Sequence, residues 1–103
     1  MLNKNIHTFI GCDAEYEDSK IVLFGAGCDG TTSFRPGTRF APSAIRNESF
    51  GIETYSPYQN KDMLDYCYFD SGDLELTFGS TNRVIADIAM RADRIITDGK
   101  IPF

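Results

Sequence analysis

The sequence predicts an α/β protein built on a mainly parallel sheet, and three stretches carry that prediction. Lys20 to Phe24 is a short apolar, β-rich run stopped by Gly25, which suits a strand buried on both faces. Ser80 and Gly99 bracket the clearest helix, in which Val84, Ile85, Ile88, Ala89, Ala92, Ile95 and Ile96 form one apolar stripe at helical spacing. Lys100-Ile101-Pro102-Phe103 then begins a further strand. A strand, a helix of this length and another strand is the crossover that parallel pairing requires.

Residues 1–19 are polar and mixed and read as an N-terminal arm; residues 20–103 read as one α/β unit. Gly25 to Ala41 contains glycines at 25, 27, 30 and 37 together with Pro36, and reads as a long loop, a feature that is usually functional in a compact domain. Pro42 to Phe50 suits a short helix with proline in its first turn and Gly51 as its stop. Ile52 to Tyr58 is aromatic, is interrupted by Pro57, and reads as irregular or edge strand. Tyr66 to Phe69 is the second convincing strand, closed by an expected turn at Asp70-Ser71-Gly72-Asp73. Arg83, Asp87, Arg91 and Arg94 fall off the stripe of the long helix, whose expected role is to pack on the sheet. A sheet that is only beginning its next strand at Phe103 leads us to expect the amino-terminal part of a larger α/β protein.

The 103 residues allow at most one domain, and 42% apolar with 24% charged content is that of an ordinary soluble globular chain. A net charge of −5 argues against nucleic-acid and anionic-membrane partners, which call for a Lys/Arg surplus. No apolar run approaches the roughly 20 residues of a membrane span, and residues 1–11 lack a signal-peptide pattern. Cys12, Cys28 and Cys67 are odd in number without C-x-x-C spacing, so reduced thiols and a cytoplasmic location are expected. Cys28 stands beside Asp29, an acid that disfavours the thiolate, so it is not read as a nucleophile.

Gly25-Ala-Gly27-Cys-Asp-Gly30 is a literal G-x-G-x-x-G after a strand, but Pro36 and Gly37 stand where the first helical turns of a dinucleotide site should run. The mechanism, in which pyrophosphate meets a helix N-terminus, therefore lacks its helix. Asp70, Asp73 and Glu75 cluster after the second strand; their spacing matches no calcium loop, and a solvated acidic turn is expected. One histidine, His7, lies in the arm, and no Ser-His-Asp or Cys-His set is present. The strongest signal is the run from Asp29 to Arg46, in which Arg35, Arg39 and Arg46 are spaced by Pro36, Gly37 and Pro42. Guanidinium forks can pin carbonyls and carboxylates and so hold a long loop in one shape, or they can line a ligand pocket.

These residues resemble a known family. Asp29-Gly-Thr-Thr, then Arg35-Pro-Gly-Thr-Arg39, then Pro42-x-x-Ile-Arg46, resembles the amino-terminal signature of the ureohydrolase (arginase/agmatinase) family. Phe69-Asp-Ser-Gly-Asp-Leu-Glu-Leu-Thr-Phe-Gly79, followed by a long helix, is similar to the agmatinase branch in particular. The resemblance covers about residues 20 to 103; one departure is Ala41, where the family mostly has glycine and where alanine requires a negative φ.

The resemblance implies a partial three-layer α/β/α arginase-like fold with a mainly parallel sheet, truncated before the strands that carry the metal site. It implies hydrolysis of the guanidino group of agmatine to urea and putrescine by the intact enzyme, in which two Mn²⁺ ions activate a bridging hydroxide. The family's metal-ligand motifs, G-G-[DE]-H, D-A-H-x-D and S-x-D-x-D, do not occur in this sequence, so no catalytic residue and no metal ligand is assigned, and no Mn²⁺ is expected on this chain. By the same resemblance Asp29, Arg35 and Arg39 belong to the loop at the substrate entrance, and Arg46 braces that loop. The intact protein is expected to form trimers or hexamers, and the 103-residue chain alone to be inactive. A small non-catalytic α/β interaction domain or a nucleotide-binding module is the competing expectation.

Overall fold

The computed structural model describes residues 2–29, 37–76 and 79–103. Its centre is a three-stranded sheet of β1 (Ile21–Gly25), β4 (Tyr68–Asp73) and β5 (Ile101–Pro102), in the order β4-β1-β5 with both pairings parallel. The ladder continues past β5, since the Phe24 amide donates to the Phe103 carbonyl at 3.0 Å and the Phe103 amide to Val22 at 2.9 Å. Between β1 and β4 lie helix α1 (Ala41–Ser49) and a small antiparallel hairpin, β2 (Tyr55–Ser56) with β3 (Lys61–Asp62). Strand β2 falls within the stretch from Ile52 to Tyr58 that reads as irregular or edge strand, and its partner β3 lies just beyond it. Helix α2 (Thr81–Thr97) carries the chain from β4 across to β5.

Alternation along β4 separates two helical layers. Phe69 and its register partner Val22 join Ile95 of α2, Tyr16 and Leu2 in the buried apolar core. Asp70, the next residue, meets Arg46 of α1 instead, as strand pleating requires for the opposite face. The fold is therefore α/β/α about a parallel sheet. Ala41 opens α1 with φ −59°, so helical backbone accommodates the alanine without strain.

Both ends of α2 are satisfied locally. The Ser80 hydroxyl accepts from the Arg83 amide at 3.3 Å. At the other end Gly99 takes φ 78°, the Gly99 amide donates to Ile96 and the Lys100 amide to Ile95, a complete Schellman motif. The helical stripe splits on packing: Val84 and Ile95 are buried and Ile88 and Ala92 half-buried, but Ile85, Ala89 and Ile96 are exposed. Three strands cover only part of so wide a face. Arg91, expected off the stripe, is instead half-buried, with its guanidinium donating to the Ser71 hydroxyl at 3.1 Å. Its long stem crosses the sheet surface to reach that partner.

The arm packs closely on this frame. Leu2, Cys12 and Tyr16 are buried, and the amides of Asn5 and Ala14 donate to Asp70 and Tyr68 along the outer edge of β4. Tyr16 donates to the Asp98 carboxylate at 2.5 Å, and the Lys100 ammonium sits over its ring at 4.9 Å while donating to Ser19 at 2.7 Å. Its polar composition conceals these anchors, which are single residues rather than a periodic face. Among the described residues no helix is long and apolar enough to cross a membrane.

Candidate functional site

Because β1 and β4 are parallel, their carboxyl ends open on the same side, where ligands bind in α/β folds. The chain leaves β1 into residues 26–29 and leaves β4 into Leu74-Glu75-Leu76, while α2 begins nearby at Thr81. These segments enclose an open cleft of about 680 Å³ whose walls include Asp29, Arg39, Leu74, Glu75, Leu76 and Val84. Glu75 also borders a second open cleft along α2 that is lined by Arg83, Asp87 and Arg94.

Asp29 organises one wall. Its carboxylate accepts from the Gly37 amide at 2.9 Å, the Arg39 amide at 3.2 Å, the Thr38 hydroxyl and the Arg39 guanidinium at 2.6 Å. The Thr38 hydroxyl foremost, aided by those two amides and the guanidinium, holds this carboxyl well below the ordinary carboxylate range. Asp29 and Arg39, two of the residues quoted for the entrance loop, are thus brought together; the third, Arg35, lies outside the described residues. The Arg39 guanidinium also stacks 4.6 Å from the Phe40 ring centroid.

Two glycines of the G-x-G run are required by close approach. A Cβ on Gly25 would sit 2.0 Å from Asp73 Oδ1 and 2.8 Å from Pro42 Cβ, and one on Gly27 would sit 2.4 Å from the Arg39 carbonyl oxygen. The space beside these backbones is filled by Asp73 of β4, by the start of α1 and by the turn that approaches it. That packing accounts for both glycines.

Arg46 lies apart from the cleft wall, under α1. Its Nε and Nη2 grip both oxygens of Asp70 at 2.8 and 3.0 Å, and its Nη1 meets Asp73 at 2.6 Å. Asp70 is fully buried and also accepts from the Phe9 and Gly72 amides, both at 2.9 Å. The acidic turn expected at Asp70–Asp73 is therefore the end of a strand, and only Glu75 and the exposed side of Asp73 face solvent. Burial alone would raise the Asp70 carboxyl, but Arg46 and the two amides outweigh it and the net shift is downward. Reading each loop by itself hid this pairing. The available signal was a strand with two acids and an upstream helix whose arginine had no acidic neighbour one turn away.

The other candidates are accounted for. Cys12 is buried, and burial first, then Asp70 and Asp13, push its thiol up to about 12. Cys28 is half-buried in the cleft wall, and His7 stacks on Phe50 at 6.1 Å between ring centroids. Among the described residues no three His, Cys, Asp or Glu side chains converge in a manner that could hold a metal ion.

A parallel sheet between helical layers, with an open cleft at the carboxyl ends of β1 and β4, defines an α/β protein of the kind that places ligands at that edge. Residues 19–103 match the arginase family, and the chain belongs to that family. It is 45% identical over 94 residues to an agmatinase of Halalkalibacterium halodurans and 44% identical over 94 residues to one of Bacillus subtilis, in each case covering 91% of this chain and 32% of the relative. The crystal structure of agmatine ureohydrolase of Thermoplasma volcanium superposes with a TM-score of 0.87 at 31% identity, covering 95% of this chain and 33% of that one. The chain thus spans about a third of the length of the curated relatives it matches.

Proposed function

We propose that these residues form part of an agmatinase-type ureohydrolase, which hydrolyses the guanidino group of an agmatine-like substrate to urea and an amine. The observation that carries this reading is 45% identity to an agmatinase along 91% of the chain, in residues that build the cleft at the strand ends. The activity belongs to a protein of the relatives' whole length. Agmatine giving putrescine, and with it polyamine biosynthesis, a cytoplasmic location and assembly as a trimer or hexamer all belong to the proposal.

A pair of Mn²⁺ ions is the proposed cofactor of that whole protein, supplying a hydroxide of lowered pKa. The residues described here do not fit the ions: Asp70 and Asp73 are taken up by Arg46, and Asp29 by Thr38, Arg39 and backbone amides. Their proposed part is to shape the entrance, with Asp29, Arg35 and Arg39 at the substrate side and Arg46 as a brace. No step of the reaction is routed through this chain's carboxylates.

Two measurements test the reading. The 103-residue chain supplied with Mn²⁺ and agmatine is expected to release no urea and to bind Mn²⁺ only weakly by calorimetry. A chimera in which these residues replace the matching third of the Bacillus subtilis agmatinase is expected to release urea from agmatine. A folded, Mn²⁺-loaded chimera that leaves agmatine intact overturns the proposal.

A further inference from the structure

The charges of the described residues that line the strand-end cleft do not balance, although Arg83, Arg91 and Arg94 line the adjoining cleft that Glu75 also borders. Asp29 is neutralised by Arg39, whereas no Lys or Arg among the described residues lies within ion-pairing distance of Glu75. Beside that exposed carboxylate the wall is hydrocarbon, provided by Leu74, Leu76 and Val84. An anion without an ion-pair partner among the described residues, next to an apolar strip, suits a cation carried on an aliphatic chain: the charge meets the carboxylate while the methylenes cover the leucines.

We propose that Glu75 is a specificity-determining residue that receives the ammonium end of an aliphatic substrate, whose methylene chain lies along Leu74, Leu76 and Val84. The inference rests on the ureohydrolase reading for the other end of that molecule. On that reading the guanidino carbon reacts with groups supplied by the rest of the protein, since no three described His, Cys, Asp or Glu side chains converge to hold a metal ion, and the end held at Glu75 is the one that does not react.

The test uses the 103-residue chain and three probes of graded chemistry: n-butylamine, methylamine and n-butanol, followed through backbone amide signals in ¹H–¹⁵N spectra. Butylamine is expected to shift Leu74, Glu75, Leu76 and Thr81 saturably and to bind at least tenfold tighter than methylamine or butanol. Glu75→Gln is expected to remove that advantage, and Glu53→Gln, in the groove beside Phe50 and Ile52, to leave it unchanged. The proposal is overturned if Glu75→Gln binds butylamine like the parent chain. It is equally overturned if all amines shift acidic residues across the surface alike. Either outcome leaves urea release by the chimera untouched, and loss of that release would leave a Glu75-dependent butylamine site in place, so the two readings fail separately.

Discussion

Asp70 and Asp73 stand three residues apart in one strand, yet both bind the guanidinium of Arg46. Regular pleating would send them to opposite faces of the sheet. The ladder explains the exception: Leu23 pairs with Asp70 but Gly25 pairs with Asp73, so β4 holds one residue more than β1 over the same span. That bulge, with Gly72 at φ 79°, turns the second acid back to the side of the first. It also brings the Leu74 amide to the Gly25 carbonyl at 2.8 Å, which fixes where β4 delivers Glu75 into the cleft.

Arg46→Ala leaves Asp70 buried, charged and without its fork, which is expected to cost about 3–5 kcal/mol. Arg46→Lys can meet one acid but not both carboxylates in the planar geometry observed, and should fall between alanine and the parent. Urea denaturation followed by circular dichroism measures the order. An Arg46→Ala chain with an unchanged midpoint contradicts a load on this pair.

Gly72→Ala places a Cβ at a left-handed position and 3.1 Å from the Asn5 side chain. The backbone penalty alone is about 1–2 kcal/mol. Gly51→Ala is the matched comparison, because Gly51 has no positive φ and only the Glu48 carbonyl oxygen within reach, at 3.5 Å. It should be neutral or mildly stabilising through the unfolded chain. Thermal midpoints of the two variants that fall together would argue against the bulge as the cause.

Elements that announce themselves by period and punctuation were legible in the residues alone. Strand β1, the capped helix α2 with its Gly99 terminus, the short α1 after Pro42 and the strand at Ile101 all rest on local rules. What escaped was written in pairs of distant residues. Asp70 looks like turn chemistry beside Ser71 and Gly72 until Arg46, 24 positions away, neutralises it. Leu2, Cys12 and Tyr16 are buried without a periodic pattern, because the arm reaches the frame through single residues, two of which, Leu2 and Tyr16, join the main core. In the cleft, Asp29 and Arg39 stood out in the sequence as members of one loop, but not as partners, and Glu75 shares a wall with Val84 only through the placement of α2.

Stability should fall on both sides of neutrality for different groups. Asp70 has a folded pKa below its ordinary 3.8, so the unfolded chain takes up a proton first; its contribution is complete above that value and lost as pH drops through the folded pKa. Cys12 and Tyr16 shift the other way, from 9.0 and 10.0 up to about 12, Cys12 chiefly through burial and Tyr16 through burial and its bond to Asp98. Their contributions are complete below pH 9 and decline progressively as pH rises from 9 to about 12. Cys12→Ala should delay the onset of the alkaline decline until Tyr16 begins to matter near pH 10. Denaturant midpoints measured across pH check both limbs; an alkaline onset that stays at pH 9 in Cys12→Ala removes the thiol from the account.

Asp29 holds Gly37, Thr38 and Arg39 through hydrogen bonds to their amides and side chains, and its loss should release the backbone that carries Arg39. Trypsin reads this directly. Arg35 precedes Pro36 and resists cleavage, while Arg39 precedes Phe40 and is cleavable once its backbone can enter the protease. Asp29→Ala is expected to speed cleavage after Arg39 severalfold relative to cleavage after Lys61 in the β2–β3 hairpin, which Asp29 does not touch. Asp29→Asn keeps an acceptor for the Thr38 hydroxyl and loses the charge facing Arg39, so its rate should lie between. Peptide mapping by mass spectrometry gives both rates in one digest. An unchanged ratio in Asp29→Ala would mean that the segment is held by other contacts, and that the carboxylate's bonds follow the loop's shape instead of setting it.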